Sequence, residues 1–342
     1  MQVGNPRLSD FFLLHPLRPS SILPPMSKQL LTNSRLRAFR TCARLHSLRY
    51  IKGWQVVRTS EALRVGSLVH LGLEAWWTGK DPMVAVAGRA IDAYEQAKVE
   101  EMLLAYANRW GADRDLYEVL GIELEFRAPL LNPETMAESR TWELAGKLDG
   151  LLRRKSDGRV LVMEHKTTQD DISDEASDYW LGLAMDGQIS QYILGAESMG
   201  HKVDEVLYDV LRKPAIRPLT ATPPESRKYK ADGSLYANQR DRDESPEEYR
   251  MRLREVLADP KYLARHSVPR TLGQMEEFLF DAWEQSSIMR ESERLDRAPR
   301  NPEACNRMGR CAFWQVCSTG SKPEDFPADY IKSEKVNPEL EV

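Results

Sequence analysis

WELAGKLDGLLRRKSDGRVLVMEHKT, residues 142–167, reads as two β-strands joined by a tight turn. Residues Trp142 to Arg153 and Arg159 to Thr167 carry the apolar, β-rich pattern of strands, and Ser156-Asp157-Gly158 supplies the turn chemistry between them. The midpoint between Asp149 and Glu164, 156.5, falls inside that turn, so the two carboxylates are expected nearly opposite each other on adjacent strands. Side chains alternate along a strand, so Glu164 and Lys166 share one face while Met163 and His165 take the other. Two acids and an amine are thereby brought together beside Leu161 and Val162. Two carboxylates so close repel by several kcal/mol in a low-dielectric setting unless a proton or cation intervenes. A divalent ion with hard oxygen ligands would relieve that conflict. The bland alternative is a salt-bridge ladder on an exposed sheet.

Working outward, a helix is expected from about Ser60 to Gly79, with Ala62, Val65, Val69, Leu73 and Trp76 as its buried stripe. Gly66 and His70 lie four apart on a neighbouring face, where the imidazole can serve as a metal ligand or simply as a satisfied helix histidine. Residues 83–118 read as helical, and Tyr117 to Leu130 as a strand. Beyond the hairpin a helix is expected over Tyr179 to Met199, ended by Gly200, with Gln188 and Tyr192 one turn apart, and then a strand from Val203 to Arg212. The order is helix, three strands, helix, strand. It defines an α/β core, residues 27–212, with helical N- and C-terminal additions.

Residues 213–244 are rich in proline and charge and read as a loop or insertion. Ser245-Pro246-Glu247-Glu248 is a strong helix start, opening a helical and cysteine-rich segment over 245–318. A second long helix is expected from about Thr271 to Leu295, burying Met275, Leu279, Ala282 and Trp283. Residues 1–26 are expected to be a poorly ordered leader and 319–342 a flexible tail.

The whole chain of 342 residues is long enough for one large or two ordinary domains, and with 42% hydrophobic and 29% charged residues it is neither disordered nor collagen-like. No apolar run is long enough to cross a bilayer, so no membrane partner is expected. Four cysteines are too few for a disulfide-stapled secreted scaffold, which favours a reducing cytoplasm. The formal charge of -4 conceals a patch: residues 27–58 hold eight cations and no acid, a net +8. Arg37, Arg40 and Arg44 recur at helical spacing beside Leu36, Phe39 and Ala43, which reads as a phosphate-binding face or as a solvated amphipathic helix.

These motifs, in this order, resemble the PD-(D/E)XK nuclease superfamily, and within it the RecB-like branch. Gly66-Ser-Leu-Val-His70 matches the branch's GxxxH, Gly146-Lys-Leu-Asp149-Gly the acidic motif, Glu164-His-Lys166 (D/E)xK, and Gln188-Ile-Ser-Gln-Tyr192 QxxxY. The resemblance implies a restriction-endonuclease-like fold and metal-dependent phosphodiester hydrolysis. His70, Asp149, Glu164 and the backbone carbonyl of His165 would hold Mg2+ or Mn2+. Lys166 would orient or help deprotonate the attacking water, and Gln188 and Tyr192 would position DNA or brace the site. Cys42, with Cys305, Cys311 and Cys317 in CNRMGRCAFWQVC, resembles the iron-sulfur subset of the branch, which includes AddB and the CRISPR-adaptation nucleases. A 4Fe-4S cluster is implied, clasping the N-terminal helix to the C-terminal segment.

The expected function is a DNA exonuclease acting on single strands or duplex ends, in recombination, repair or a phage or mobile-element pathway. With no GxxxxGK[ST] phosphate loop in the chain, any helicase or recombination motor would be a separate partner. The competing readings are a non-catalytic iron-sulfur DNA-binding or assembly module and a site-specific endonuclease.

Overall fold

The computed structural model describes residues 28–340 apart from Arg58 and Met308; the expected leader lies outside them. The centre is a mixed six-stranded sheet, built on β3 (Tyr117–Leu131), β4 (Glu138–Arg154), β5 (Val160–Thr168) and β6 (Glu205–Arg212). It is completed by β7 (Leu263–Val268) and by β1 (Gln29–Leu31), whose three residues are too few to show a strand period in the sequence. Strand β4 organises the sheet. One of its edges pairs antiparallel with β3 from Tyr117↔Arg154 to Leu131↔Glu138. The other is shared: β1 runs parallel against Trp142–Leu144, and β5 antiparallel against Gly150–Arg153. Between those two partners β4 is open, and this fork holds the site.

The hairpin register is the expected one. Gly150 pairs with Met163, one step from an Asp149–Glu164 pair, and Gly158 takes the positive φ, +73°, that the turn requires. Strand β5 continues parallel to β6, whose other edge carries β7 antiparallel.

Both faces of the sheet are covered, so its central strands are apolar on both sides. On one face lie α3 (Glu61–Trp77) and α5 (Ala93–Trp110), which bury Val65, Val69, Leu73, Val99, Met102 and Leu103 against Leu211 and Leu263. Met163 and Leu161 face Trp77 of α3. On the other face lie α7 (Gly187–Ser198) and α9 (Leu272–Arg294), packing Ile189, Tyr192, Phe278 and Leu279 against Val162, Val206 and Tyr208. Helix α8 (Pro246–Leu257) begins with the expected cap as a full capping box at Ser245 and Glu248.

Four expectations are corrected. The basic helix is broken: α1 (Asn33–Thr41) and α2 (Ala43–His46) are separated by Cys42, whose backbone is extended at φ -167° and ψ 119°. Arg37 and Arg40 therefore share no single helix with Arg44. The region 83–118 divides into α4 (Pro82–Val86), α5 and a 3-10 turn, Gly111–Leu116. The helix read over 179–199 is two, α6 (Asp178–Gly182) and α7, because Asp186 adopts an extended backbone and caps Gln188 N–H. The described residues of the tail carry secondary structure: β8 (Tyr330–Lys332) pairs antiparallel with β2 (Trp54–Val56). Tyr330 stacks on Phe313, and Glu339 accepts from the Thr32 hydroxyl.

Arg35 anchors the N-terminal segment. It is 3% exposed, pairs with Glu293 of α9, lies over the Trp142 ring and donates from Nε to His46 Nε2 at 3.2 Å. Burial, with Arg35 adding to it, pushes His46 down to about 3. Between pH 6.5 and 3 the unfolded chain binds a proton that the folded one refuses, so stability falls as pH drops through that window. At pH 4 the contribution is about 3 kcal/mol. Denaturant titrations at pH 7 and pH 4 are expected to show a much smaller acid loss for His46→Gln than for the parent protein. Equal losses would remove His46 as the cause.

Candidate active site

The fork in β4 is built by residues from four elements. Where β4 lacks a strand neighbour, Gln191 of α7 substitutes for one: its amide donates to Leu31 O at 2.9 Å and Ala145 O at 2.8 Å. Asp149 stands at the head of the fork, and its Oδ2 accepts from the His165 backbone N–H at 2.7 Å. This bond fixes the carboxylate against β5 just beyond the last ladder pair.

His70 of α3 reaches the same carboxylate, Nδ1 to Oδ2, at 3.6 Å. From the other face Gln188 accepts from Lys166 Nζ at 3.0 Å, donates to Glu164 Oε1 at 3.1 Å and also donates to the Tyr192 hydroxyl. Lys166 donates to Glu164 as well. The structure thus brings together His70, Asp149, Glu164, Lys166, Gln188 and Tyr192, all of which the sequence singled out.

Side-chain exposure grades from 33% at His70 and 31% at Lys166, through 13% at Asp149, to 2% at Glu164. Glu164 is therefore the floor of the site and the others its walls. Burial first, and Asp149 second, push the Glu164 carboxyl up, against the pull of Lys166. Burial opposes the charge on Lys166, but Glu164 and Asp149 outweigh it and hold the ammonium above its ordinary value. Burial likewise pushes His70 down to about 4 despite Asp149, leaving a neutral imidazole with a lone pair to give.

Above these groups a cleft of about 400 Å³ opens between α3 and the sheet, lined by His70, Asp149, Lys166, Thr167, Lys147 and Lys213 among others. Lys147 is paired with Glu123 of β3. Glu123 sits at φ +54°, an unusual conformation for a non-glycine residue, two residues past a register shift between Val119 and Gly121.

Donor chemistry in the site suits a hard divalent cation. Glu164 Oε2 is buried and has no hydrogen-bond partner, while Oε1 is engaged by Lys166 and Gln188. A buried carboxylate oxygen without a donor is costly, and a cation answers it. Among the described residues, no three His, Cys, Asp or Glu side chains stand at single-ion ligand geometry.

A buried polar cluster behind β5 was not read from the sequence. His165 Nδ1 lies 3.4 Å from Asp209 Oδ2. The same oxygen accepts from Tyr106 at 2.6 Å and from Arg265 at 3.0 Å. Burial opposes the Asp209 charge, but Arg265 and His165 overcome it and bring the carboxyl down to about 2. An aspartate in the middle of the apolar strand VLYDVL was the available signal.

The cysteines are gathered at the far end of the N-terminal segment. Cys42 Sγ accepts from Asn301 N–H at 3.4 Å, Arg44 N–H bonds Pro299 O at 3.1 Å, and Arg300 donates to Cys317 O at 2.9 Å. Burial raises the Cys317 thiol, Arg44 lowers it, and Cys311, Cys42 and Cys305 raise it further, so all four thiols lie within electrostatic reach. A small core of Leu48, Trp54, Phe313, Val316 and Tyr330 supports them. The three expected DNA-binding arginines are separated in use. Arg40 bonds Gln285 and Asp281, Arg44 Nε donates to Ala298 O at 2.8 Å, and Arg37 is exposed.

Fold and site together define a restriction-endonuclease-like nuclease core. The sequence profile of the PD-(D/E)XK nuclease superfamily matches residues 31–318, and the chain belongs to that superfamily. No curated protein matches the sequence. Among solved structures it is similar to a candidate exonuclease of Eubacterium rectale, at 11% identity and TM-score 0.46, over 83% of this chain and 86% of that one. It is also similar to a phage-related exonuclease of Haemophilus somnus 129PT, at 14% identity and TM-score 0.28, over 66% and 82%. No helix among the described residues is long and apolar enough to cross a membrane.

Proposed function

We propose that the protein is a divalent-metal-dependent DNA exonuclease of the RecB-like branch, with an iron-sulfur cluster on Cys42, Cys305, Cys311 and Cys317. The observation that carries the nuclease reading is the unpartnered, buried oxygen of Glu164, set beside Asp149 and Lys166 under an open cleft. Asp149, Glu164, His70 and the His165 carbonyl are the groups that would hold Mg2+ or Mn2+. When bound, such an ion lowers the pKa of a coordinated water and neutralises charge gathering on phosphate oxygens.

The side chains supply the rest. Lys166, held by Glu164 and Gln188 with its amine at the cleft, donates to the incoming water and screens the scissile phosphate. Gln188 keeps the lysine and Glu164 in register, and Tyr192 steadies Gln188 from behind. Gln191 keeps the fork from closing as continuous sheet. The exonuclease assignment rests on the likeness of the GxxxH and QxxxY motifs to the RecB-like branch. With end-labelled single- and double-stranded DNA, cleavage of linear but not circular substrate is expected; discrete fragments from circular DNA would favour an endonuclease.

The cluster reading rests on the four gathered thiols. A cubane distributes its four thiolates over separate irons, so it asks for thiols ringed about a volume rather than meeting at a point. Protein purified without oxygen is expected to be brown, with about four irons per chain. Cys311→Ser is expected to lose the colour and to loosen the β2–β8 region to proteolysis. Stoichiometric zinc without iron would contradict the cluster.

A further inference from the structure

Three lysines line the cleft, and they are not equivalent. Lys147 is neutralised by Glu123, and Lys166 by Glu164. Lys213, just past the end of β6, has no carboxylate within ion-pairing distance among the described residues. Its Nζ donates to Thr167 Oγ1 at 3.2 Å, Thr167 O at 3.3 Å and Ala62 O at 3.4 Å, all uncharged acceptors at long range. Burial lowers its pKa, and only Asp170, acting at a distance, opposes this. A half-buried ammonium with such weak partners gains more from an arriving anion than a paired one does.

The half-buried Lys213 is part of the cleft lining, together with Thr167. Thr167 follows Lys166 directly on β5, so its hydroxyl and the Lys213 amine lie one residue beyond the catalytic lysine. Helix α3 crosses here at Gly66, where a Cβ would come within 3.0 Å of Thr167 Oγ1. A larger residue at position 66 would crowd the hydroxyl that Lys213 holds. Ala62, Leu63 and Gly66 add no charge to the lining of the cleft, whose acids are Glu74, Glu123, Asp149 and Glu339.

We propose that Lys213, with the Thr167 hydroxyl, binds the phosphate next to the scissile one and so sets the line along which a nucleic-acid strand enters the site. This deepens the nuclease reading and rests on it for the identity of the strand. The role is one of binding: Lys213 holds ground state and transition state alike, so its loss raises KM and leaves kcat in place.

The test uses the intact protein and fluorescein-labelled oligothymidylate, with affinity followed by anisotropy across a salt series without divalent ions. Lys213→Gln is expected to weaken binding about tenfold and to flatten the slope of log affinity against log salt by about 0.7, the value of one single-strand phosphate contact. Lys213→Arg is expected to restore both. With metal present, Lys213→Gln is expected to raise KM about tenfold with kcat within twofold of the parent. Wild-type affinity and slope in Lys213→Gln would overturn the proposal, as would an equal loss in Lys213→Arg, since shape rather than charge would then be at work. A parent protein that binds oligothymidylate through Lys213 yet cuts nothing would leave this site standing and count against the nuclease reading.

Discussion

Lys166→Ala is expected to lower phosphodiester cleavage about 10³-fold or more while leaving oligonucleotide affinity within a few-fold of the parent. The amine stands over Glu164, the floor of the site, and against Gln188, so it acts where charge develops rather than along the binding surface. Asp149→Ala is expected to do the same for another reason. It removes the carboxylate that the His165 N–H pins at the head of the fork, and with it half of the paired acids. The two losses should not add, because both variants dismantle one unit. Single-turnover rates for each variant and the double variant check this. Full activity in either single variant would refute the assignment.

The second large effect is on stability. Asp209→Ala is expected to cost about 3–5 kcal/mol, because it leaves the Arg265 guanidinium buried with its central acceptor gone and removes the acceptor of the Tyr106 hydroxyl. Asp209→Asn keeps the shape and should cost less. Removing both charges, in Asp209→Asn with Arg265→Gln, should cost less than the sum of the singles. The carboxyl is also held low, at about 2 against an ordinary 3.8. Its contribution is therefore complete above pH 4 and is lost as pH falls from about 4 to 2, a change of about 2 kcal/mol. Denaturant titration across that window, parent against Asp209→Asn, reads the difference. A parallel acid limb in the two proteins would contradict the charge network.

The hairpin was legible because its information is local. A turn with glycine at positive φ and alternation on both strands set Asp149 against Glu164 without knowledge of the rest of the fold. The long helix to Trp77 was legible for the same reason, with Ser60 as cap and an apolar stripe at helical period. The strands Gln29–Leu31, Trp54–Val56 and Tyr330–Lys332 were not, since three residues carry no period and their pairing partners lie far along the chain.

Two breaks were hidden in helical-looking sequence. At Asp186 the side chain offers the next helix a better start than continuation does; at Cys42 the chain turns to meet Asn301, a partner no local pattern announces. In the site, the grouping of Asp149, Glu164 and Lys166 was readable from spacing, whereas His70, Gln188 and Tyr192 stood out only through the resemblance to the superfamily's motifs. Gln191 was passed over because its task, filling a gap between two strands, exists only once β1 is in place. Lys213 was passed over because its significance lies in lacking the carboxylate that its neighbours have.

The central claim is that Asp149, Glu164 and Lys166 form a metal-dependent centre for phosphodiester hydrolysis. Its most direct test is cleavage of end-labelled linear DNA by parent protein and Lys166→Ala side by side, in Mg2+ or Mn2+ and again with EDTA. Cleavage by the parent only with metal, and by Lys166→Ala under neither condition, is the expected result. Metal-independent cleavage, or equal cleavage by the variant, would contradict it.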